Sequence, residues 1–369
     1  MRLILILIGK IIRKFQVPVR LTNIRSVLVV DPNFIGDMLL SSPVYRALKD
    51  NLPGARVETL VFPFTTDALS ANPFIDRIHT LPRGSFIKQL KASILLRKEK
   101  FDLVLQLNTS LKTNFLMWLI GDRYRLGYDY KERASFNNIR IPIKTRTART
   151  RYRVDECLGL LEQAFGWKIT DREMILQVAD EYQKSVSHLL EKAGVHPTDI
   201  LIGIHANCRD TWKERRWVQS KFSELSNDLI NTYNAKIVYT GSKDDLEYVK
   251  TIIDGVESPQ NVINVVGKTS LMELAALLRR LDVLVTVNTG PMQIAVSQKT
   301  PTVVLMGVTP PVVTYPSNVD IFQYVWNGEE QSDAQLKVDP KDSMRMESIE
   351  VTDVLEKVKY LLALRRNPR

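Results

Sequence analysis

Short apolar runs alternate with amphipathic stretches along the first half of the chain. Residues 26–30 form an apolar run of the length expected for a buried parallel strand, and residues 56–61 and 101–107 are predicted as further strands. Residues 38–51, between the first two runs, carry apolar side chains at helical spacing. Strands and helices that alternate in this way predict a parallel sheet with right-handed crossovers.

The same alternation restarts in the second half. Further strands are predicted at residues 201–205, 235–239, 262–266, 283–287 and 302–306. Helices are predicted at residues 217–233, 270–280 and 351–365, and the second of them opens with a capping box. The chain therefore belongs to the α/β class and forms two doubly wound, Rossmann-like domains, for which 369 residues are sufficient.

The boundary between these domains falls near residues 170–180. We predict an N-terminal domain over residues 1–175 and a C-terminal domain over residues 176–345. A last helical segment, residues 346–369, is expected to pack back towards the N-terminal domain. Because open α/β sheets bind ligands outside the carboxyl ends of their strands, we expect the two sheets to face each other across a ligand-binding cleft.

The net charge of +10 is unevenly distributed. Residues 1–175 hold 29 Lys and Arg against 16 Asp and Glu, a net charge of +13, whereas residues 176–369 hold 22 against 25, a net charge of −3. Residues 131–153 alone contain eight basic residues and one acidic residue. This density favours an anion-binding role over a solvated loop, and nucleic acid, anionic lipid and a phosphorylated glycolipid are all candidate partners.

The N-terminal segment and the cysteines bear on the location of the protein. Residues 1–16 are basic and amphipathic, but their apolar run over residues 3–8 is far shorter than the roughly 20 residues of a membrane span. Both a helix on the membrane surface and a helix packed on the fold fit this segment. Cys157 and Cys208 form neither a disulfide framework nor a metal-ligand cluster, which indicates a reducing cytoplasm.

A glycine and a carboxylate follow the first predicted strand. Gly36 permits a tight turn and the close approach of a ligand, and Asp37 lies near the start of the next helix. Asp37 is a candidate catalytic carboxylate, with helix capping as the alternative. Because no G-x-G-x-x-G occurs there, the fingerprint of nicotinamide binding is missing.

Strand-to-helix turns in the second half supply candidate anion contacts. Asn288, Thr289, Gly290 and Gln293 lie where a strand ends and a helix begins, so backbone N–H groups and the positive helix end form a possible phosphate seat. A turn without a ligand is the alternative.

Three other loops of the second half carry further candidates. Lys213 and Arg215 could neutralise a diphosphate, and Asp245 could hydrogen-bond ribose hydroxyls or simply cap a helix. Gly267 and Lys268 could line an adenine pocket through their backbone.

Taken in order, motifs across residues 25–355 resemble those of the ADP-heptose:lipopolysaccharide heptosyltransferases, the family 9 glycosyltransferases. The matching motifs are Gly36-Asp37 with Pro43, Asn72-Pro73 before Ile75-Asp76, Phe101-Asp102-Leu103, Arg125-Leu126-Gly127-Tyr128, Arg215-Arg216-Trp217, Thr240-Gly241, Gly267-Lys268-Thr269, Asn288-Thr289-Gly290-Pro291-Met292 and Pro301-Thr302. Their order and spacing carry the resemblance.

This resemblance implies a GT-B fold and an inverting glycosyl transfer that needs neither a metal nor a cofactor. It implies that Asp37 is the catalytic base, which takes the proton from the attacking acceptor hydroxyl. The C-terminal domain would bind a nucleotide-sugar donor, ADP-heptose in this family. A cation and the helix after Gly290 would stabilise the leaving ADP.

The implied acceptor is a lipopolysaccharide core, a polyanionic glycolipid that carries lipid A phosphates and Kdo carboxylates. Acceptor contacts are therefore expected at Gly36, Arg146, Arg149 and Arg151. The enzyme would be cytoplasmic, and residues 1–16 would contact the inner-membrane surface. Nucleic acid is not an expected partner, because the positive charge is confined to one half and no nucleic-acid motif occurs.

Three residues depart from the family pattern. Arg215 stands where the family usually has Lys, and it keeps the charge. Asn288 replaces an Asp and Gln293 replaces a His, so neither can act as an acid or a base. A different nucleotide-sugar donor, a nucleotide-sugar epimerase of the GT-B type and a non-catalytic sugar-nucleotide-binding relative are therefore the alternatives.

Overall fold

The chain folds into two compact units, Met1–Ile175 and Leu176–Arg369. Each unit has its own parallel sheet and its own hydrophobic core. The computed structural model describes residues 6, 8–9, 11–12, 23–121, 123–143, 151–307, 309–316, 319–327 and 342–366.

The first unit contains a six-stranded parallel sheet. Its strands are β1 (Ser26–Val30), β2 (Arg56–Val61), β3 (Arg77–Thr80), β4 (Leu103–Gln106), β5 (Tyr124–Asp129) and β6 (Ile139–Pro142). They are ordered β3-β2-β1-β4-β5-β6. Because the chain crosses from β3 to β4, β1 and β4 lie side by side at the point where ligands bind in such sheets.

Helices connect the strands of the first unit. Beyond residue 23 they are α1 (Ile35–Ser41), α2 (Pro43–Asn51), α3 (Thr66–Leu69), α4 (Phe86–Leu96), α5 (Leu111–Ile120) and α6 (Arg153–Phe165). The single helix predicted at residues 38–51 is in fact two helices. Pro43 begins the second one, because proline lacks the N–H that would continue α1.

The second unit repeats this topology. Its strands are β7 (Leu201–His205), β8 (Lys236–Tyr239), β9 (Val262–Asn264), β10 (Val283–Val287), β11 (Thr302–Met306) and β12 (Phe322–Trp326). The order is β12-β11-β10-β7-β8-β9, and every neighbouring pair is parallel. Both units are thus doubly wound, which confirms the predicted α/β class and the two Rossmann-like domains.

The described helices of the second unit surround this sheet. They are α7 (Asp180–Lys192), α8 (Gln219–Tyr233), α9 (Leu246–Ile253), α10 (Leu271–Leu278), α11 (Gly290–Ser297), α12 (Pro311–Thr314), α13 (Asp342–Glu347) and α14 (Val351–Arg366). No helix among the described residues has the length and hydropathy that a membrane-spanning segment needs.

The C-terminal helix α14 belongs to the core of the second unit. Its residues Val351, Val354, Val358 and Leu361 are buried there, against apolar side chains of the sheet and of α8. The second unit thus accounts for the apolar face of α14. The expectation that residues 346–369 pack towards the N-terminal domain stays a prediction.

Candidate active site

Asp37 lies in the first turn of α1, directly after β1. The N-cap of this helix is Phe34, whose side chain makes no capping hydrogen bond, so Asp37 is not the cap. Its side chain is exposed, while Met38 and Leu39 on the other side of α1 are buried. The short helix thus presents a carboxylate to solvent at the carboxyl edge of the sheet, next to the partly buried Gly36.

A second carboxylate, Asp31, is fully buried close to Asp37. It accepts hydrogen bonds from the Ser41 hydroxyl and from the Asn33 amide. Burial raises the pKa of Asp31 to about 6, and the charge of Asp37 adds to this shift. The Ser41 hydrogen bond and the charge of Arg153 act in the opposite direction. The two carboxylates are therefore electrostatically coupled.

Arg153, at the start of α6, is the buried cation of this group. It is almost fully buried and donates hydrogen bonds to Glu156 and to the Leu107 carbonyl. Burial disfavours its charge, but neighbouring acidic groups, with Asp31 and Asp37 among them, raise the pKa of its guanidinium overall. A fixed positive charge therefore lies inside the unit near Asp37. From the sequence, Arg153 was predicted only as one of the basic residues of an anion-binding segment.

The predicted acceptor contacts are only partly described. Arg151 is exposed just before α6, whereas Arg146 and Arg149 lie outside the described residues. Most of residues 1–16 also lie outside them.

An aromatic cluster that the sequence did not reveal flanks Asp37. The Phe34 and Phe64 rings are both exposed, with centroids 5.8 Å apart, and Phe62 stacks on Phe64 at 5.8 Å. The Arg83 guanidinium lies over both rings, 5.3 Å from the Phe34 centroid and 5.6 Å from the Phe64 centroid. These residues follow β1, β2 and β3 at the edge that carries Asp37. We call the four residues the aromatic shelf.

In the second unit, Arg215 joins two of the predicted loops. It donates a hydrogen bond to the Asn288 carbonyl at 3.0 Å, and its guanidinium lies 4.3 Å from the Trp212 ring centroid. Lys213 is exposed in the same 3-10 helix, Asp210–Arg215. The 3-10 helix with Lys213 and Arg215 therefore lies next to the end of β10. A phosphate site at the end of this strand needs such cations close by.

The helix α11 begins at Gly290, and its N-cap is Thr289. The Thr289 hydroxyl donates back to the Val287 carbonyl at 3.3 Å and caps nothing in the helix. Gln293, on the first turn, is only 3% exposed. Its amide nitrogen donates to the Thr314 carbonyl at 2.6 Å, while its Oε1 has no hydrogen-bond partner among the described residues. A buried, unsatisfied acceptor is costly unless a ligand pairs with it.

The other residues predicted to contact the nucleotide-sugar donor already have contacts within the protein. Both oxygens of Asp245 accept protein hydrogen bonds, one from Ser242 in a capping box and the other from the Asn207 amide at 2.7 Å. Lys268 is exposed and its ammonium donates to the Asn264 carbonyl at 2.9 Å. Gly267 has a positive φ of 71° and lies against Lys243, where a Cβ would come within 2.9 Å of that side chain. Among the described residues, no group of three His, Cys, Asp or Glu side chains is arranged to hold a metal ion.

Comparison with known proteins gives a consistent result. A family model described as glycosyltransferase family 9 (heptosyltransferase) matches residues 89–344. The chain is 30% identical over 310 residues to lipopolysaccharide heptosyltransferase 3 of Escherichia coli K12, and the match covers 80% of this chain and 86% of the relative.

Solved structures share the fold. A glycosyl transferase of family 9 from Veillonella parvula superposes with a TM-score of 0.78 at 20% identity, covering 94% of this chain and 99% of that one. The ADP-heptose lps heptosyltransferase II of E. coli superposes with a TM-score of 0.74 at 21% identity, covering 92% and 99%. At these identities the likeness concerns the fold alone.

Proposed function

Because the chain belongs to glycosyltransferase family 9, the heptosyltransferase family, we propose that it transfers a heptose from ADP-heptose to a lipopolysaccharide core, with inversion and without a metal. The family match confirms the resemblance in the motifs, and the chain is accordingly a glycosyltransferase. The observation that carries the catalytic proposal is Asp37, exposed on α1 beside the buried Asp31 and Arg153.

The proposed reaction is a single displacement. An acceptor hydroxyl oxygen attacks the anomeric carbon as the bond from that carbon to the β-phosphate oxygen breaks, and ADP leaves. Asp37 takes the hydroxyl proton. Attack from the side opposite the leaving group inverts the anomeric configuration. General-base catalysis of this kind contributes roughly 10²–10⁴-fold to a rate.

We assign the donor diphosphate to the region around Arg215 and the N-terminus of α11. Lys213 and Arg215 supply positive charge, and the positive N-terminal end of α11 at Gly290 favours an anion. The unpaired Oε1 of Gln293 is an acceptor for a ligand hydroxyl, a role that an amide can fill in place of the usual His. Asn288, Gly267 and Lys268 remain candidates for contacts with the rest of the donor.

Replacing Arg215 with Ala should raise the KM for ADP-heptose by about 10–100-fold, because a charge-assisted contact to the diphosphate is lost. Steady-state kinetics with varied donor would measure this. Arg279→Ala, which removes an exposed cation elsewhere in the second unit, is the matched control and should leave the KM unchanged. An equal effect of both substitutions would mean that only the overall charge matters.

We assign part of the acceptor site to the aromatic shelf. An exposed aromatic ring offers an apolar face to the C–H groups of a sugar ring, and Arg83 adds a cation for a carboxylate or a phosphate. Gly36 permits a close approach of the acceptor to Asp37, and Arg151 extends the positive charge. An anionic saccharide therefore matches this edge of the sheet in both shape and charge.

Truncation of the shelf by Phe34→Ala together with Phe64→Ala should raise the acceptor KM about tenfold and leave the donor KM within about twofold, because the lost stacking contacts only the acceptor. Kinetics with each substrate varied in turn would separate the two constants. Phe64→Trp keeps a flat apolar face and should retain near wild-type values. A change confined to kcat would argue against the assignment.

The function as a whole is tested by product analysis. Purified protein with ADP-heptose and a heptose-deficient core acceptor should release ADP and form a glycosidic bond of inverted configuration, as read by NMR. EDTA should leave the rate unchanged. Donor alone should remain intact, because an epimerised donor or free sugar would identify an epimerase instead. Stabilisation against heat by ADP-heptose, and not by GDP- or UDP-sugars, would support the donor class independently.

A further inference from the structure

Helix α4 exposes large apolar side chains, although another side of it packs on the core through Leu90 and Leu96. Ile87, Ile94 and Leu95 are 65%, 55% and 62% exposed, whereas Gln89 and Ser93 are buried beneath the helix. The Gln89 Oε1 and the Ser93 hydroxyl find no hydrogen-bond partner among the described residues. A helix that serves only the core would not also expose three large apolar side chains, and it would pair its buried polar atoms.

Positive charge surrounds these exposed apolar side chains. Lys88 and Lys91 are exposed on the same helix, and Arg97 and Lys98 are exposed directly after it. At 100° per residue, Lys91 lies between Ile87 and Leu95 on one face. The helix Phe86–Leu96 contains no acidic residue. This combination of apolar and basic side chains on one face is the composition of helices that lie in a membrane interface.

A second group of exposed apolar side chains lies in the N-terminal segment. Ile8 and Ile11 are exposed, while Gly9 between them packs so closely on Ser135 that a Cβ would come within 2.7 Å of it. Aromatic rings connect this place to α4: Phe136 meets Phe115 at 5.3 Å between centroids, and Phe115 meets Phe86, the first residue of α4, at 6.3 Å. A continuous layer of packed rings therefore extends from the contact between Gly9 and Phe136 to the start of α4.

We propose that the exposed face of α4, formed by Ile87, Lys88, Lys91, Ile94 and Leu95, docks on an anionic phospholipid surface together with Lys98, which follows the helix. The isoleucine and leucine side chains enter the interface between headgroups and acyl chains, and the lysines contact lipid phosphates. The distribution of charge favours a bilayer over a protein partner. The basic residues are spread evenly among the apolar ones, as a surface of many lipid phosphates requires, whereas an acidic cluster on a protein would call for basic residues gathered in one place. Docking here also brings the shelf close to the membrane, since Arg83 precedes Ile87 by only four residues.

Vesicle co-sedimentation of the full chain tests this proposal and needs neither donor nor acceptor, so it is independent of the proposed function. The protein should bind vesicles that contain phosphatidylglycerol, bind phosphatidylcholine vesicles at least about tenfold more weakly, and lose affinity as salt is raised. Ile94→Ser with Leu95→Ser, and separately Lys91→Glu with Lys98→Glu, should each lower the affinity about tenfold or more. Circular dichroism and thermal melts should remain near wild type, because these side chains are exposed.

The matched control replaces exposed apolar side chains of the second unit, Val218→Ser with Tyr360→Ser, and should bind vesicles like the wild type. Three outcomes would overturn the proposal. They are equal binding to neutral and anionic vesicles, unchanged binding of both α4 variants, and a wild-type dimer that the α4 substitutions dissociate in sedimentation velocity. The last result would identify the face as an interface between two copies of the chain.

Discussion

Replacing Asp37 with Asn should lower kcat by about 10²–10⁴-fold while the KM for ADP-heptose changes by less than about threefold. The amide keeps the size and the polarity of the side chain but cannot accept the proton of the attacking hydroxyl. Because Asp37 is exposed, the stability of the first unit should change little. Initial rates of ADP release at saturating donor would measure the effect.

The control for this experiment is Asp50→Asn, which removes another exposed carboxylate from the same unit, on α2. It should retain wild-type kcat. A loss of activity in Asp37→Asn that is matched by an equal loss of donor affinity would contradict the assigned role, because a base acts on the acceptor and not on donor binding. Retention of more than about a tenth of wild-type kcat would remove Asp37 from the chemistry altogether.

Replacing Arg153 with Leu should destabilise the first unit by about 3–5 kcal/mol. The guanidinium is almost fully buried, and its removal takes away two hydrogen bonds, to the Glu156 carboxylate and to the Leu107 carbonyl. It also removes the positive charge that lowers the pKa of the buried Asp31. Denaturant unfolding followed by circular dichroism would measure the loss.

Two further variants test how much of the stability loss in Arg153→Leu is due to the buried charge. Arg151→Leu, two residues earlier and exposed, should cost less than about 0.5 kcal/mol. Adding Asp31→Asn to Arg153→Leu should recover part of the loss at pH 7.5, because a buried charge without its partner is then gone. If the double variant were no more stable than Arg153→Leu, the electrostatic coupling between Asp31 and Arg153 would be disproved.

The contribution of Asp31 to the stability of the first unit depends on pH. Its pKa in the folded unit is about 6, above the ordinary value of 3.8, so the folded state binds more protons than the unfolded state between these two pH values. Ionised Asp31 therefore lowers stability above pH 6, and this penalty disappears as pH falls towards 4. The stability advantage of Asp31→Asn over the wild type should shrink over the same interval.

The sequence by itself determined the class of the fold and the family. Mostly apolar runs marked β1, β10 and β11, because a parallel strand that is covered on both faces is predominantly apolar. The strands β3, β5, β6 and β12 were not predicted. They are half-exposed or contain Gly and Arg, so their hydrophobic signal is weak. The positions of Asp37 and Arg215 also followed from motifs, since a turn after a strand is local in the chain.

Tertiary structure decided what surrounds those residues. Arg153 counted in the sequence as one of eight cations in a basic stretch, but α6 carries it into the interior beside Asp31. The aromatic shelf joins residues from three separate strand ends, and no local pattern relates Phe34 to Arg83. The exposure of Ile87, Ile94 and Leu95 on α4 depends on which side of that helix the core covers. A sequence fixes the spacing of side chains on a helix, but only the packing of that helix decides which side meets water.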